Sequence, residues 1–104
     1  MTMNGEKMSQ AIEVVVFRAK ANVTPERMQT AALAVTPVLA GLPGFLSREF
    51  GASGDGQYID IVHWKNLSSA KQAAEKVMSI PECGEFFSLI EQSQMQFLHF
   101  NRVE

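Results

Sequence analysis

The chain has 104 residues, of which 46% are hydrophobic and 19% charged, with a formal net charge of −2. That length matches one domain and that composition is globular, which excludes an intrinsically disordered polymer. The nine lysines and arginines never form a run, so nothing in the charge pattern favours nucleic acid or an anionic membrane surface as a partner.

A single cysteine, Cys83, rules out an intramolecular disulfide and any metal site built on several thiolates. A small buried packing residue is the expected role. Residues 1–10 are polar and read as a flexible leader without the apolar core of a signal peptide, ahead of one domain over residues 11–104. No apolar run is long enough to cross a bilayer. A cytoplasmic protein is expected.

In chain order, Ala11 to Ala19 is rich in β-branched residues and reads as a strand. Thr24, Pro25 and Glu26 then form a helix start: an N-cap, a first-turn proline and a first-turn acid. Met28, Ala31, Ala32, Val35, Val38, Leu39 and Leu42 follow at helical spacing. Pro37 should kink the last turn, and Gly41 with Pro43-Gly44 should end the helix. Phe45 to Phe50 reads as a second strand and Gly51 to Gly56 as a hairpin loop.

The third strand, Gln57 to Lys65, alternates around Tyr58, Asp60, Val62 and Trp64. Asn66 or Ser68 caps a second helix with Leu67, Ala70, Ala73, Ala74, Val77 and Met78 on one face, and Pro81 breaks it. A short amphipathic turn or helix carries Phe86, Phe87, Leu89 and Ile90. Met95 to Val103 closes the chain as a fourth strand. The order β-α-β-β-α-β predicts an α+β, ferredoxin-like fold, a four-stranded antiparallel sheet with its helices on one face.

In the first strand Ile12, Val14 and Val16 oppose Val15 and Phe17; in the last, Met95 and Phe97 oppose Leu98 and Phe100. A sheet face left in water should be mainly polar, and here both faces are apolar. Since the helices cover one face, the other calls for a partner, most simply an identical sheet. A homodimer is expected.

Tyr58 to Trp64 followed by a polar cap and an alanine-rich helix, the Pro43-Gly44-Phe45 turn, and the Pro81 to Phe87 segment together resemble the antibiotic biosynthesis monooxygenase family. The resemblance spans roughly Ile12 to Val103. It implies a dimeric α/β barrel with a pocket in each protomer between helices and sheet. Members include cofactor-free oxygenases of quinols and anthrone-like aromatics, haem-degrading enzymes, and proteins without assigned activity. The family's strand-closing tryptophan is matched by Trp64. Asp60 stands four positions earlier, where aromatic-oxidising members often have an amide. The first-strand asparagine and second-helix histidine of haem-degrading members have no counterpart here, so no cofactor is expected.

The candidate catalytic residues are therefore Asp60, as proton acceptor or orienting group, and Trp64, as aromatic wall. Tyr58, on the same strand face, and His99 are candidate substrate contacts. The plainer alternative makes Trp64 core and pairs Asp60 with Arg18 or Arg48. His63 alternates away from Trp64, which suits an interface or surface role. No ligand cluster for a metal is present in the sequence pattern. The function expected is cofactor-independent oxidation of a small hydrophobic aromatic. The alternatives are a non-catalytic dimeric binding or stress-related module, and a structural protein with a collapsed pocket.

Overall fold

The structure, a computed structural model, describes residues 9–104. Except for Ser9 and Gln10, the polar leader lies outside the described residues. The described elements are β1 (Ala11–Arg18), α1 (Pro25–Ala40), β2 (Phe45–Ala52), β3 (Gln57–Trp64), α2 (Leu67–Lys76), α3 (Pro81–Ser88) and β4 (Gln96–Asn101). Single 3-10 turns lie at Val77–Ser79 and Gln92–Gln94. The strands form one antiparallel sheet in the order β2-β3-β1-β4, the ferredoxin-like arrangement the element order predicts.

Local chemistry sets the element boundaries. Thr24 Oγ1 accepts the Arg27 amide at 3.1 Å with Pro25 at the first helical position, so α1 begins where the cap requires. Met28, Ala31, Ala32, Val35 and Leu39 form its buried stripe. The helix continues through Pro37 to Ala40. The carbonyl that Pro37 cannot serve belongs to Leu33, an exposed residue, where water can take the place of the missing donor. Asn66 Oδ1 accepts the Ser69 amide at 2.8 Å and so starts α2.

Gly44 joins α1 to the sheet with φ +86°, and its carbonyl accepts the Lys65 amide at 2.7 Å. A Cβ there would stand only 2.5 Å from Ser69 Cβ, so the α2 N-terminus can close over this turn only because the position is glycine.

Some boundaries differ from the sequence reading. β2 extends to Ala52, because Ser53 N–H reaches Gln57 O at 2.9 Å and shortens the loop. α2 ends at Lys76, with Val77 and Met78 in the following 3-10 turn. The segment after Pro81 is a full helix, α3, packed on α1. β4 begins at Gln96 rather than Met95, which terminates the preceding 3-10 turn, and ends at Asn101. Two backbone bonds, Lys20 N–H to Leu89 O at 2.9 Å and Glu91 N–H to Arg18 O at 2.8 Å, tie the end of α3 to the end of β1.

The register sorts the side chains into two faces. Toward the helices point Ala11, Glu13, Val15 and Phe17 of β1, Tyr58, Asp60, Val62 and Trp64 of β3, and Phe97 and His99 of β4. The core lies here, between sheet and helices. The opposite face presents Ile12, Val14, Val16, Ile59, Ile61, His63, Leu98 and Phe100. No element of the described chain covers it, and Ile59, Leu98 and Phe100 are 37–51% exposed.

Candidate functional site

A cavity of about 490 Å³ sits between the sheet and the helices, within the range of roughly 300–1,000 Å³ usual for small-molecule sites. Its floor comprises Glu13 and Val15 of β1, Asp60, Val62 and Trp64 of β3, and Phe97 of β4. Val35 and Leu39 of α1, Ala73 and Ala74 of α2, and Cys83, Phe86 and Phe87 of α3 enclose it, with Val77, Met78, Gln92 and Met95 from the turns between. The walls are overwhelmingly apolar. A wider groove between α1 and α3, lined by Glu26, Arg27, Thr30, Pro81, Glu82 and Glu85, is a shallow surface feature. Its Arg27 is already paired with Glu85 at 3.2 Å, so the enclosed cavity is the candidate site.

Asp60 and Trp64, each two residues from Val62 on β3, both line this cavity. Asp60 is 7% exposed, and both of its oxygens are engaged by Arg48: Nε to Oδ1 at 2.9 Å and the terminal NH2 nitrogen to Oδ2 at 2.7 Å. The remaining guanidinium nitrogen donates to the Ala32 carbonyl of α1 and, at 3.0 Å, to Thr36 Oγ1. Phe50 and Phe86 flank the guanidinium, with ring centroids 5.5 Å and 5.7 Å from its carbon. The bidentate pair fixes the Asp60 carboxylate in place, with both oxygens committed to the guanidinium.

Trp64 packs edge-on against Phe45, centroids 5.9 Å apart. The residue is 1% exposed, and its indole Nε1 is a buried donor with no hydrogen-bond partner among the described residues. Buried donors are nearly always satisfied, and this one belongs to a residue that lines the cavity beside the Glu13 carboxylate.

Tyr58 does not line the cavity. Its ring stacks between Phe17, at 5.5 Å, and Phe50, at 5.7 Å, one step along the strand from the site. His99 stands beside the cavity, its ring 5.0 Å from that of Phe97, which lines it. His99 Nε2 lies 3.2 Å from Glu13 Oε1. Glu13 does line the cavity and was not singled out from the sequence. The signal was there: by strand alternation Glu13 shares a face with Val15 and Phe17, so a carboxylate stands in an inward-pointing apolar row.

Burial pushes the Glu13 carboxyl above its ordinary range. The hydrogen bond and positive charge of His99 pull it partly back, Asp60 raises it further, and the Trp64 indole N–H, pointing toward it without reaching hydrogen-bond geometry, slightly favours the charged form. Glu13 lies opposite Val62, so Asp60 and Trp64 are its two diagonal neighbours on β3. Burial likewise raises the Cys83 thiol, with Glu82 adding to the rise and Arg48 opposing it, which disfavours the thiolate. Among the described residues, no group of three or more His, Cys, Asp or Glu side chains is placed to hold a metal ion. No helix of the described chain is long and apolar enough to cross a membrane.

No protein-family model and no curated protein matches this sequence. Solved structures do match the fold. SnoaB, a cofactor-independent oxygenase from Streptomyces nogalater, superposes with a TM-score of 0.78 at 15% identity, over 92% of this chain and 95% of that one. A protein from Nitrosomonas europaea provisionally described as an antibiotic biosynthesis monooxygenase gives 0.74 at 10% identity, over 91% of both chains. A dimeric ferredoxin-like protein of unknown function from Thermobifida fusca gives 0.67 at 14% identity, over 90% of this chain and 92% of that one. The chain therefore has the fold found in monooxygenase-like proteins of the antibiotic biosynthesis type, as the resemblance in its sequence implies.

Proposed function

We propose that this protein is a cofactor-independent oxygenase that takes a flat, hydrophobic aromatic of quinol or anthrone type into the cavity of each protomer of a homodimer. The observation that carries the reading is the apolar cavity between sheet and helices, with Trp64 and two carboxylates, Asp60 and Glu13, in its floor. Apolar walls suit the rings, while the Trp64 donor suits a carbonyl or hydroxyl oxygen on them. Asp60, locked by Arg48, serves as an orienting group rather than a base, with Trp64 as the wall and His99 at the edge. Tyr58 supports β3 through its aromatic stack.

The chemistry needs no metal or flavin when the substrate itself supplies the electrons. Loss of a proton gives an electron-rich anion that reacts directly with dioxygen. For an anthrone-type methylene, conversion to a carbonyl removes four electrons; one oxygen atom ends in the new carbonyl and the other in water. The partner protomer follows from the apolar sheet face, where Ile59, Leu98 and Phe100 stand exposed and a second sheet would bury them.

Oxygen uptake by metal-stripped protein against a panel of hydroquinones and anthrones tests the reaction. Protein-dependent uptake that falls in Trp64→Phe is expected. No uptake by folded dimer across the panel would favour a binding module using the same cavity. Light scattering tests the assembly: Leu98→Glu should convert a dimer to a monomer, and a wild-type monomer at micromolar concentration would refute the pairing.

A further inference from the structure

The cavity contains a second carboxylate whose surroundings differ from those of Asp60. Asp60 has both oxygens tied to a guanidinium. Glu13 has one oxygen, Oε1, 3.2 Å from His99 Nε2, and makes no ion pair with Lys or Arg among the described residues. It projects from the central strand β1 into the cavity floor, diagonal to the orphaned Trp64 donor. The titratable groups facing it from the sheet are His99 from β4 and Asp60 from β3, the latter paired with Arg48 from β2. The helices and turns above line the cavity with apolar side chains, Gln92 and the Cys83 thiol, and bring no Lys, Arg, Asp or Glu to it.

We propose that Glu13, held in place by His99, accepts the proton of a hydroxyl-bearing aromatic bound in this cavity, with Trp64 Nε1–H hydrogen-bonded to an oxygen of the same ligand. The proposal rests on the ligand-cavity reading above. In the transfer the ligand O–H bond breaks, its electron pair stays on the ligand oxygen as aryloxide, and the proton goes onto the Glu13 carboxylate. Glu13 is the catalytic residue because it meets the ligand. His99 is a positioning residue that acts through it. Burial makes this carboxylate more basic than a carboxylate in water, which suits a proton acceptor. Asp60 keeps its ion pair throughout.

The test uses para-nitrophenol, which is too electron-poor to react with dioxygen and whose neutral and ionised forms absorb at different wavelengths. Trp64 is the sole tryptophan, so quenching of its fluorescence reports occupancy of the cavity. Binding is measured anaerobically across pH for wild type, Glu13→Gln and His99→Asn. In wild type, affinity for the neutral phenol should rise with pH as Glu13 ionises. Glu13→Gln should flatten that limb and weaken binding about tenfold, since a charge-assisted bond becomes a neutral one. His99→Asn should keep the limb but move it to higher pH, because His99 holds the Glu13 carboxyl down. A limb that survives in Glu13→Gln, or that vanishes in His99→Asn, overturns the assignment of Glu13. Absence of quenching in wild type instead overturns the cavity reading, and the Glu13 assignment with it.

Discussion

Removing the guanidinium of Arg48 tests how much of the fold is tied to the floor of the cavity. Arg48→Met keeps most of the apolar stem but strands Asp60 with two unpaired oxygens at 7% exposure. It also frees the Ala32 carbonyl and the Thr36 hydroxyl of α1, so the contact from β2 to that helix is lost. Breaking a buried ion pair from one side costs about 3–5 kcal/mol. A domain of this size has roughly 5–15 kcal/mol in total, so the variant should approach the limit of folding. At about 4–8 °C per kcal/mol, Tm should fall by about 12–40 °C. The double variant Arg48→Met/Asp60→Leu removes both charges and should recover most of the loss, since apolar replacement of a whole buried pair is often neutral. Thermal and urea unfolding, followed by circular dichroism at one fixed protein concentration, measures both. A loss below about 1 kcal/mol in Arg48→Met, or a double variant as unstable as the single one, would refute the argument that an uncompensated buried charge dominates.

Glu13 should act in the opposite direction on stability. Its folded-state carboxyl is raised, so the folded protein holds that proton more tightly than the unfolded chain does. Its contribution therefore declines as pH climbs from the ordinary carboxylate range through the raised value. Glu13→Gln should be more stable than wild type above that window, and the advantage should vanish in acid; Tm curves against pH for the two proteins decide it. Gly44→Ala should destabilise by at least about 1–3 kcal/mol, from its positive φ alone and before the collision with Ser69 is counted. Urea midpoints check this, and a neutral result would mean that the turn and the α2 N-terminus can move apart.

The framework was legible in the sequence because its signals are local. The Thr24-Pro25 start and the Asn66 cap are side-chain chemistry acting within three residues, and strand alternation placed Asp60 with Trp64 correctly on one face. Arg48 was one of two partners considered for Asp60; register decides between them, since Arg18 is directed to Asp55 at the hairpin loop. The Glu13–His99 contact joins residues 86 apart in the chain and depends on β4 lying beside β1. Nothing near Glu13 in sequence announces a histidine partner. Tyr58 shares a face with Asp60, but alternation cannot tell which part of that face is filled by rings; Phe17 and Phe50 arrive from neighbouring strands. The third helix was equivocal from sequence because Gly84 weakens helix propensity in an eight-residue segment, and Pro81, which ends the preceding helical pattern, also stands at the first position of the next.

The floor and the cover of the cavity are built to different standards of permanence. Glu13 lies on β1, hydrogen-bonded along both edges, to β3 and to β4. The amides of such a strand exchange with solvent only when the whole molecule unfolds. Much of the cover is the turn at Val77–Ser79, the two turns of α3 and the single turn at Gln92–Gln94, with Met78 already 74% exposed. Segments that short open at a small fraction of the global cost. Transient breathing of the cover would admit a guest of the kind proposed, while the strands that hold Glu13, Asp60 and Trp64 keep their register.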